Sequence, residues 1–217
     1  TARACYTGAM RLLVALLVIA VAAPALAEED LNAVLFGQKP KPFIDPAGYW
    51  AAILPSGFNC EGKARHVKCQ GNRGVESLLT VDVLDVPASA TADIAMLNQM
   101  DKFKEKPHFK LLQKAKIKVD KSPAMVVDFS YDYLGNVEYS IGVEELIMVR
   151  GGKLYLIHEE MRLDQFAVHK KDLMQLYASF KPARLDAGGN PIIEDLKPPE
   201  AKQSGAPEID KALKGQY

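Results

Sequence analysis

Between Phe109 and Met161 the chain runs through four stretches in which every second residue is apolar. Period two belongs to β-strands, whose successive side chains point to opposite faces. In "HFKLLQKAKIKV", Phe109, Leu111, Ala115, Ile117 and Val119 share one side, and Lys110, Lys114, Lys116 and Lys118 share the other. In "AMVVDFSYDY", Met125, Val127, Phe129, Tyr131 and Tyr133 alternate with Asp128, Ser130 and Asp132, and Gly135-Asn136 supplies a tight turn. "VEYSIGVEELIMV" continues with Val137, Tyr139, Ile141 and Val143. The alternation then slips at Glu144-Glu145, where Leu146 and Met148 take the apolar parity, and a β-bulge near 142–145 is expected. Gly151-Gly152, both tolerant of positive φ, turns the chain into "KLYLIHEEM". Consecutive strands joined by short turns make an antiparallel meander.

Two segments change the period. In "SATADIAMLNQMDKFKEKP", Ile94, Leu97, Met100 and Phe103 form an apolar helical stripe, with Ser89 or Thr91 as the cap and Pro107 as the stop. Met96 and Met100 read as core filler rather than as ligands. In "LDQFAVHKKDLMQLYASF", Asp164 can cap a helix that gathers Phe166, Leu173, Leu176, Tyr177 and Phe180 on one face. Upstream, Leu79, Val81 and Val83 alternate in a further strand. A short first strand has Tyr49, Ala51 and Ile53 inward and turns at Pro55-Ser56-Gly57. The fold class is α+β, a single antiparallel sheet packed by two main helices.

The start of the chain supplies an address. "MRLLVALLVIAVAAPALA", residues 10–27, has Arg11, an apolar run from Leu12 to Ala23, and the small-residue exit Ala25-Leu26-Ala27. That is the pattern of a secretory signal cleaved after Ala27. The run is short of the about 20 residues that span a bilayer. The residues before Met10 read as upstream sequence, and Cys5 lies ahead of the apolar core, where no lipid-bearing cysteine belongs. Cleavage removes Arg3 and Arg11 and no acid, leaving 25 basic and 27 acidic residues, a net charge of −2. Nucleic-acid binders show a basic excess, so that class is set aside. The expected organisation is 1–27 upstream and signal, 28–40 a linker, 41–183 one α+β domain and 184–217 a disordered tail rich in Pro, Gly and charge.

After cleavage two cysteines remain, Cys60 and Cys69. Zinc wants about four ligands, and only His66 is near. C-x-x-C is absent. The pair is expected as a structural staple across a local hairpin or loop, with a labile redox pair or free thiols as the alternatives.

A resemblance emerges from three stretches. The opening "FIDPAGYWAAILPSGF", the strand "SPAMVVDF" after the lysine-rich one, and the closing "YASFKP" are similar to the corresponding parts of the PsbP-like family, over residues 43–182. Membership would imply an α/β/α sandwich in an extracytoplasmic protein that docks on or assists a larger assembly. In photosynthetic members that assembly is the oxygen-evolving complex. The resemblance carries over no binding residue.

No G-x-S-x-G, Walker A or G-x-G-x-x-G motif occurs, and "HEEMR" lacks the second histidine of H-E-x-x-H. Glu144-Glu145 and Glu159-Glu160 are neighbours on strands, so each pair points to opposite faces and makes no ready acid/base couple. His158, Glu160 and Glu144 form the one metal candidate, set against a surface polar row; His169 reads as solvated. No cofactor is implied. The leading reading is a non-catalytic exported envelope protein, periplasmic or secreted, that binds an unidentified protein or complex, with Lys110, Lys114, Lys116 and Lys118 as the candidate contact row. The alternative is a small-molecule or metal-binding periplasmic protein, with several of Tyr131, Tyr139, His158 and Glu160 converging on a pocket between sheet and helix.

Overall fold

The computed structural model describes residues 40–72, 76–135 and 138–192. The export segment, nearly all of the linker, residues 193–217 and Asn136 of the expected turn lie outside the described residues.

The chain order is β1 (Lys41–Ile44), β2 (Trp50–Leu54), β3 (Phe58–Lys63), β4 (His66–Asn72), β5 (Glu76–Asp85), α1 (Ala92–Phe103), β6 (Lys110–Val119), β7 (Ser122–Leu134), β8 (Glu138–Arg150), β9 (Lys153–Arg162), α2 (Leu163–Ser179) and β10 (Lys181–Pro182). Seven strands form an antiparallel sheet in the order β3-β4-β5-β9-β8-β7-β6. The expected meander is its β6–β9 half.

The expectation of a single sheet is corrected by a second, three-stranded sheet, β1-β2-β10. The prolines around β2 deny it a long ladder, and at Pro55-Ser56-Gly57 the chain swings out, with Gly57 at φ 81°. All five residues of β2 are buried, not only alternate ones. Trp50, Ala52 and Leu54 join the main core, while Ala51 packs with Ala183. The Trp50 ring lies 5.3 Å from Phe43 and 5.4 Å from Phe180, so the small sheet is clamped to the end of α2. The Ile53 amide also donates to Ser179 Oγ at 2.9 Å.

The large sheet is covered on both faces. Met125, Val127 and Phe129 of β7 pack towards α1, and Ala124 and Val126 pack towards α2 and the small sheet. Thr91 Oγ1 accepts from the Ile94 amide at 3.3 Å and caps α1. The face that α1 turns inward is Ala92, Ala95, Met96, Gln99, Met100 and Phe103. Ile94 and Leu97, expected in the core, are exposed. Ala95 lets the helix approach, and the Phe103 ring anchors 4.7 Å from Phe129. Helix α2 buries Phe166, Leu173, Met174, Leu176 and Tyr177. Its cap residue is Arg162, paired with Asp164 at 2.8 Å, so Asp164 sits in the first turn rather than at the cap.

Strand register overturns the expected bulge. Ser130↔Gly142, Phe129↔Val143, Asp128↔Glu144 and Val127↔Glu145 pair without interruption. The irregularity lies in β6 instead, between Leu111 and Gln113. It throws Lys110, the partner of Ser130, onto the α2 face, while Lys114, Lys116 and Lys118 remain on the α1 face. A four-lysine row is thereby corrected to three. Leu111 likewise leaves the side shared by Ala115, Ile117 and Val119.

At Gly142 the side chain of Phe166 on α2 closes directly onto the sheet. A Cβ there would meet the Phe166 ring at 2.9 Å, and glycine removes that clash. The boundary expected after residue 183 falls inside folded chain: Leu185 bridges Pro191, and the Asp186 carboxylate accepts from the Gly188 and Asn190 amides at 2.8 Å each.

Cys60 and Cys69 are register partners in the β3–β4 hairpin and are joined by a disulfide. Its loop is short, so it contributes roughly 2–3 kcal/mol in the chain-entropy model. Replacing both cysteines by alanine is expected to lower the urea stability by about that amount. An unchanged midpoint would contradict a structural staple.

Candidate functional site

Both members of Glu144-Glu145 are buried, because β8 lies between strands inside a sheet covered on each side. Two polar clusters result, set back to back.

The first lies under α2. Asp128, Glu144 and Glu159 are successive register partners on β7, β8 and β9, so they form a row across the sheet. All three are buried. Cross-strand neighbours sit roughly 5 Å apart, and carboxylates removed from water need cations or protons. Lys170, on α2, ion-pairs with Asp128, lies 3.5 Å from Glu144 Oε2, and donates to Gln113 Oε1 at 2.9 Å. Two turns further along α2, the Tyr177 hydroxyl is turned towards Glu144 without a hydrogen bond of good geometry. Burial and the neighbouring Asp128 push the Glu144 carboxyl well above the usual range, outweighing Lys170 and Tyr177. Burial and Glu144 likewise push the Tyr177 hydroxyl up. Glu144 therefore keeps its proton more readily than an ordinary glutamate.

The second cluster lies on the α1 face. His158 Nδ1 is 2.9 Å from Glu145 Oε1, and His158 Nε2 is 3.6 Å from Glu160 Oε2. The Tyr131 hydroxyl donates to Glu160 at 3.2 Å, and the Phe103 ring stacks 5.8 Å from the imidazole. Burial disfavours the imidazolium, but Glu145 and Glu160 outweigh it and raise the His158 pKa to about 9. The contact with His158 holds Glu160 below its usual range despite burial. Burial and Glu160 push the Tyr131 hydroxyl up. A general base works best with a pKa near the operating pH, whereas these shifts fix His158 as a cation and Glu160 as an anion near neutrality.

The metal candidate of His158, Glu160 and Glu144 is separated by the sheet. Glu144 faces α2, and Glu145 takes the place beside the imidazole. Among the described residues no group of three or more His, Cys, Asp or Glu is arranged to hold a metal ion. Of the four residues of which several were expected to converge, Tyr131, His158 and Glu160 meet, while the Tyr139 ring packs 5.2 Å from Tyr133. His169, expected in solvent, is half-buried on α2. A concavity of about 250 Å³ is lined by Arg150, Gly151, Ala183, Arg184 and Leu185, none of them a member of either cluster. Lys114, Lys116 and Lys118 are exposed along β6, and Lys116 reaches Asp93 of α1 at 3.0 Å.

Sequence reasoning missed Glu145, Asp128 and Lys170. The signal was the parity slip itself: acids inside a strand with apolar residues on both parities mark a strand buried on both faces.

No protein-family model and no curated protein matches the chain. Solved structures similar to it include the Saccharomyces cerevisiae Ran-binding protein Mog1p, 10% identical over 67% of this chain and 96% of that one, with a TM-score of 0.51. The likeness is one of fold. The solution structure of cyanobacterial PsbP (CyanoP) from Synechocystis sp. PCC 6803 is 15% identical over 67% of this chain and 93% of that one, with a TM-score of 0.49. LpqN, involved in cell envelope biogenesis of Mycobacterium tuberculosis, is 8% identical over 73% of this chain and 98% of that one, at 0.48. The seven-stranded sheet between two helices, with the three-stranded sheet beside it, is an α+β architecture.

The His158 cluster has a pH signature. A histidine whose folded pKa is raised stabilises fully below its unfolded value of 6.5 and loses that contribution as pH climbs through about 9. Wild type should lose about 3 kcal/mol relative to His158→Gln between pH 6 and pH 10. Urea denaturation across that range reads the difference, and parallel pH profiles would contradict the locked imidazolium.

Proposed function

We propose that this chain is an exported protein without catalytic activity, which acts by binding a partner protein in the cell envelope. The observation that carries the reading is the contrast between interior and edge. The groups a catalyst would present to a substrate, Glu144, Glu145, His158 and Lys170, are engaged with one another inside the sandwich. The β6 side instead displays Lys114, Lys116 and Lys118 together with exposed Leu111 and Leu112.

Three further points support it. The segment 10–27 reads as a secretory leader. The Cys60–Cys69 disulfide suits an oxidising compartment. No helix among the described residues is long and apolar enough to cross a membrane. Mog1p, which has this fold, is a Ran-binding protein, so the scaffold is one that serves protein recognition elsewhere. In this reading the binding domain runs from residue 41 through the Leu185–Pro191 bridge, and the chain beyond it is a tail.

Site-specific photo-crosslinking in the intact host tests it. A photoreactive residue in place of Leu112 is expected to give one defined adduct, on the processed form that begins at Glu28. The same residue in place of Glu61, on the opposite edge strand, should give none. No adduct from Leu112, or the same adducts from both positions, would overturn the reading.

A further inference from the structure

We infer that the outer edge of β6 accepts an acidic, extended segment of the partner as an eighth strand of the large sheet. The inference rests on the partner-binding reading above and names how the partner is held.

The sheet ends at β6, and among the described residues no strand pairs with its outer edge. An unpaired edge offers a row of N–H and C=O groups that an extended chain can match. At ten residues this edge is longer than the other, β3, which has six and is crowded at Gly62 by Pro46.

Charge then selects the occupant. Lys114, Lys116 and Lys118 recur every second residue on one face, so their stems stand roughly 7 Å apart. An incoming strand with Asp or Glu at alternate positions sets a carboxylate opposite each lysine, the favourable cross-strand arrangement. On the other face Ala115, Ile117 and Val119 are buried in the main core. The alternate residues of the incoming strand extend that apolar layer, so the fitting sequence alternates acidic and apolar residues. A second copy of this chain is the poor match, because two β6 strands paired about this row bring lysine against lysine. The same lysines that guard the edge against self-association therefore favour an acidic strand, a difference in affinity that gives specificity.

The bulge between Leu111 and Gln113 limits the site. It breaks the ladder geometry and turns Lys110 away, so the docking length runs from Gln113 to Val119. Lys116 is anchored to Asp93 of α1 at 3.0 Å, which leaves Lys114 and Lys118 as the residues to vary without loosening the helix.

The test uses the full chain and a fluorescent eight-residue peptide of alternating Glu and Val. Binding is read by anisotropy, alongside amide exchange at β6. The account expects saturable binding, at least tenfold weaker for the same peptide N-methylated at alternate residues and for Lys114→Glu/Lys118→Glu. It also expects slowed exchange of the outward β6 amides. Equal binding of the methylated peptide means attraction by charge alone and overturns strand addition. No binding of either peptide overturns it as well. A defined Leu112 adduct in the host, obtained alongside either failure, would leave the partner-binding reading standing; loss of that adduct would remove both.

Discussion

Three carboxylates in a line across β7, β8 and β9 have been taken out of water, and the Lys170 ammonium reaches two of them, Asp128 and Glu144. Everything on the α2 side answers to that constraint. The helix has to lie low enough for Lys170 to reach both Asp128 and Glu144, and Gly142 provides the clearance beneath Phe166. The far end of α2 is held by the stacking of Phe180 on Trp50 and by Ser179 on β2. Breaking a buried pair is far more costly than never having made it. The row therefore acts less as a source of net stability than as a device that fixes where α2 docks.

The second cluster repeats the logic on the opposite face, one residue along each strand. Glu145 and Glu160 enclose His158, and Phe103 of α1 closes over the ring. Adjacent acids on β8 thus attach to different helices through one strand. In this second cluster His158 is a cation and Glu160 an anion near neutrality. Recognition is then left to what the sandwich does not cover, and the long, lysine-bearing β6 edge is the most extensive such feature of the strands described.

Much of this was legible in the amino-acid sequence. Period two located β6 to β9, Gly151-Gly152 marked a turn, Thr91 was among the candidate caps of α1, and the spacing of Cys60 and Cys69 pointed to a hairpin staple. The inward face of α2 was also read correctly from Phe166 to Phe180. What failed has one cause. Reading a strand as apolar on one side assumes that the other side meets water. For β8 both sides are interior, so the parity slip at Glu144-Glu145 looked like an inserted residue when it was a pair of buried acids. The true insertion, at Leu111-Leu112, was marked by two adjacent leucines and was passed over because the lysines continued around it. Ile94 and Leu97 misled in a related way. A three-residue spacing fits a helical stripe, but small Ala92 and Ala95 decide which side can approach the sheet. The second sheet had no local signal, since β10 is two residues long and pairs with β2 from the opposite end of the domain sequence.

The account stands or falls on the charge state inside the row. Carboxyl carbon shifts of Glu144, followed by NMR through a pH titration of the exported form, read it directly. The account predicts a midpoint well above the about 4.3 of an unperturbed glutamate, and a further rise when Lys170 is replaced by methionine. A Glu144 carboxyl that titrates together with exposed glutamates near pH 4, and ignores the loss of Lys170, would contradict it.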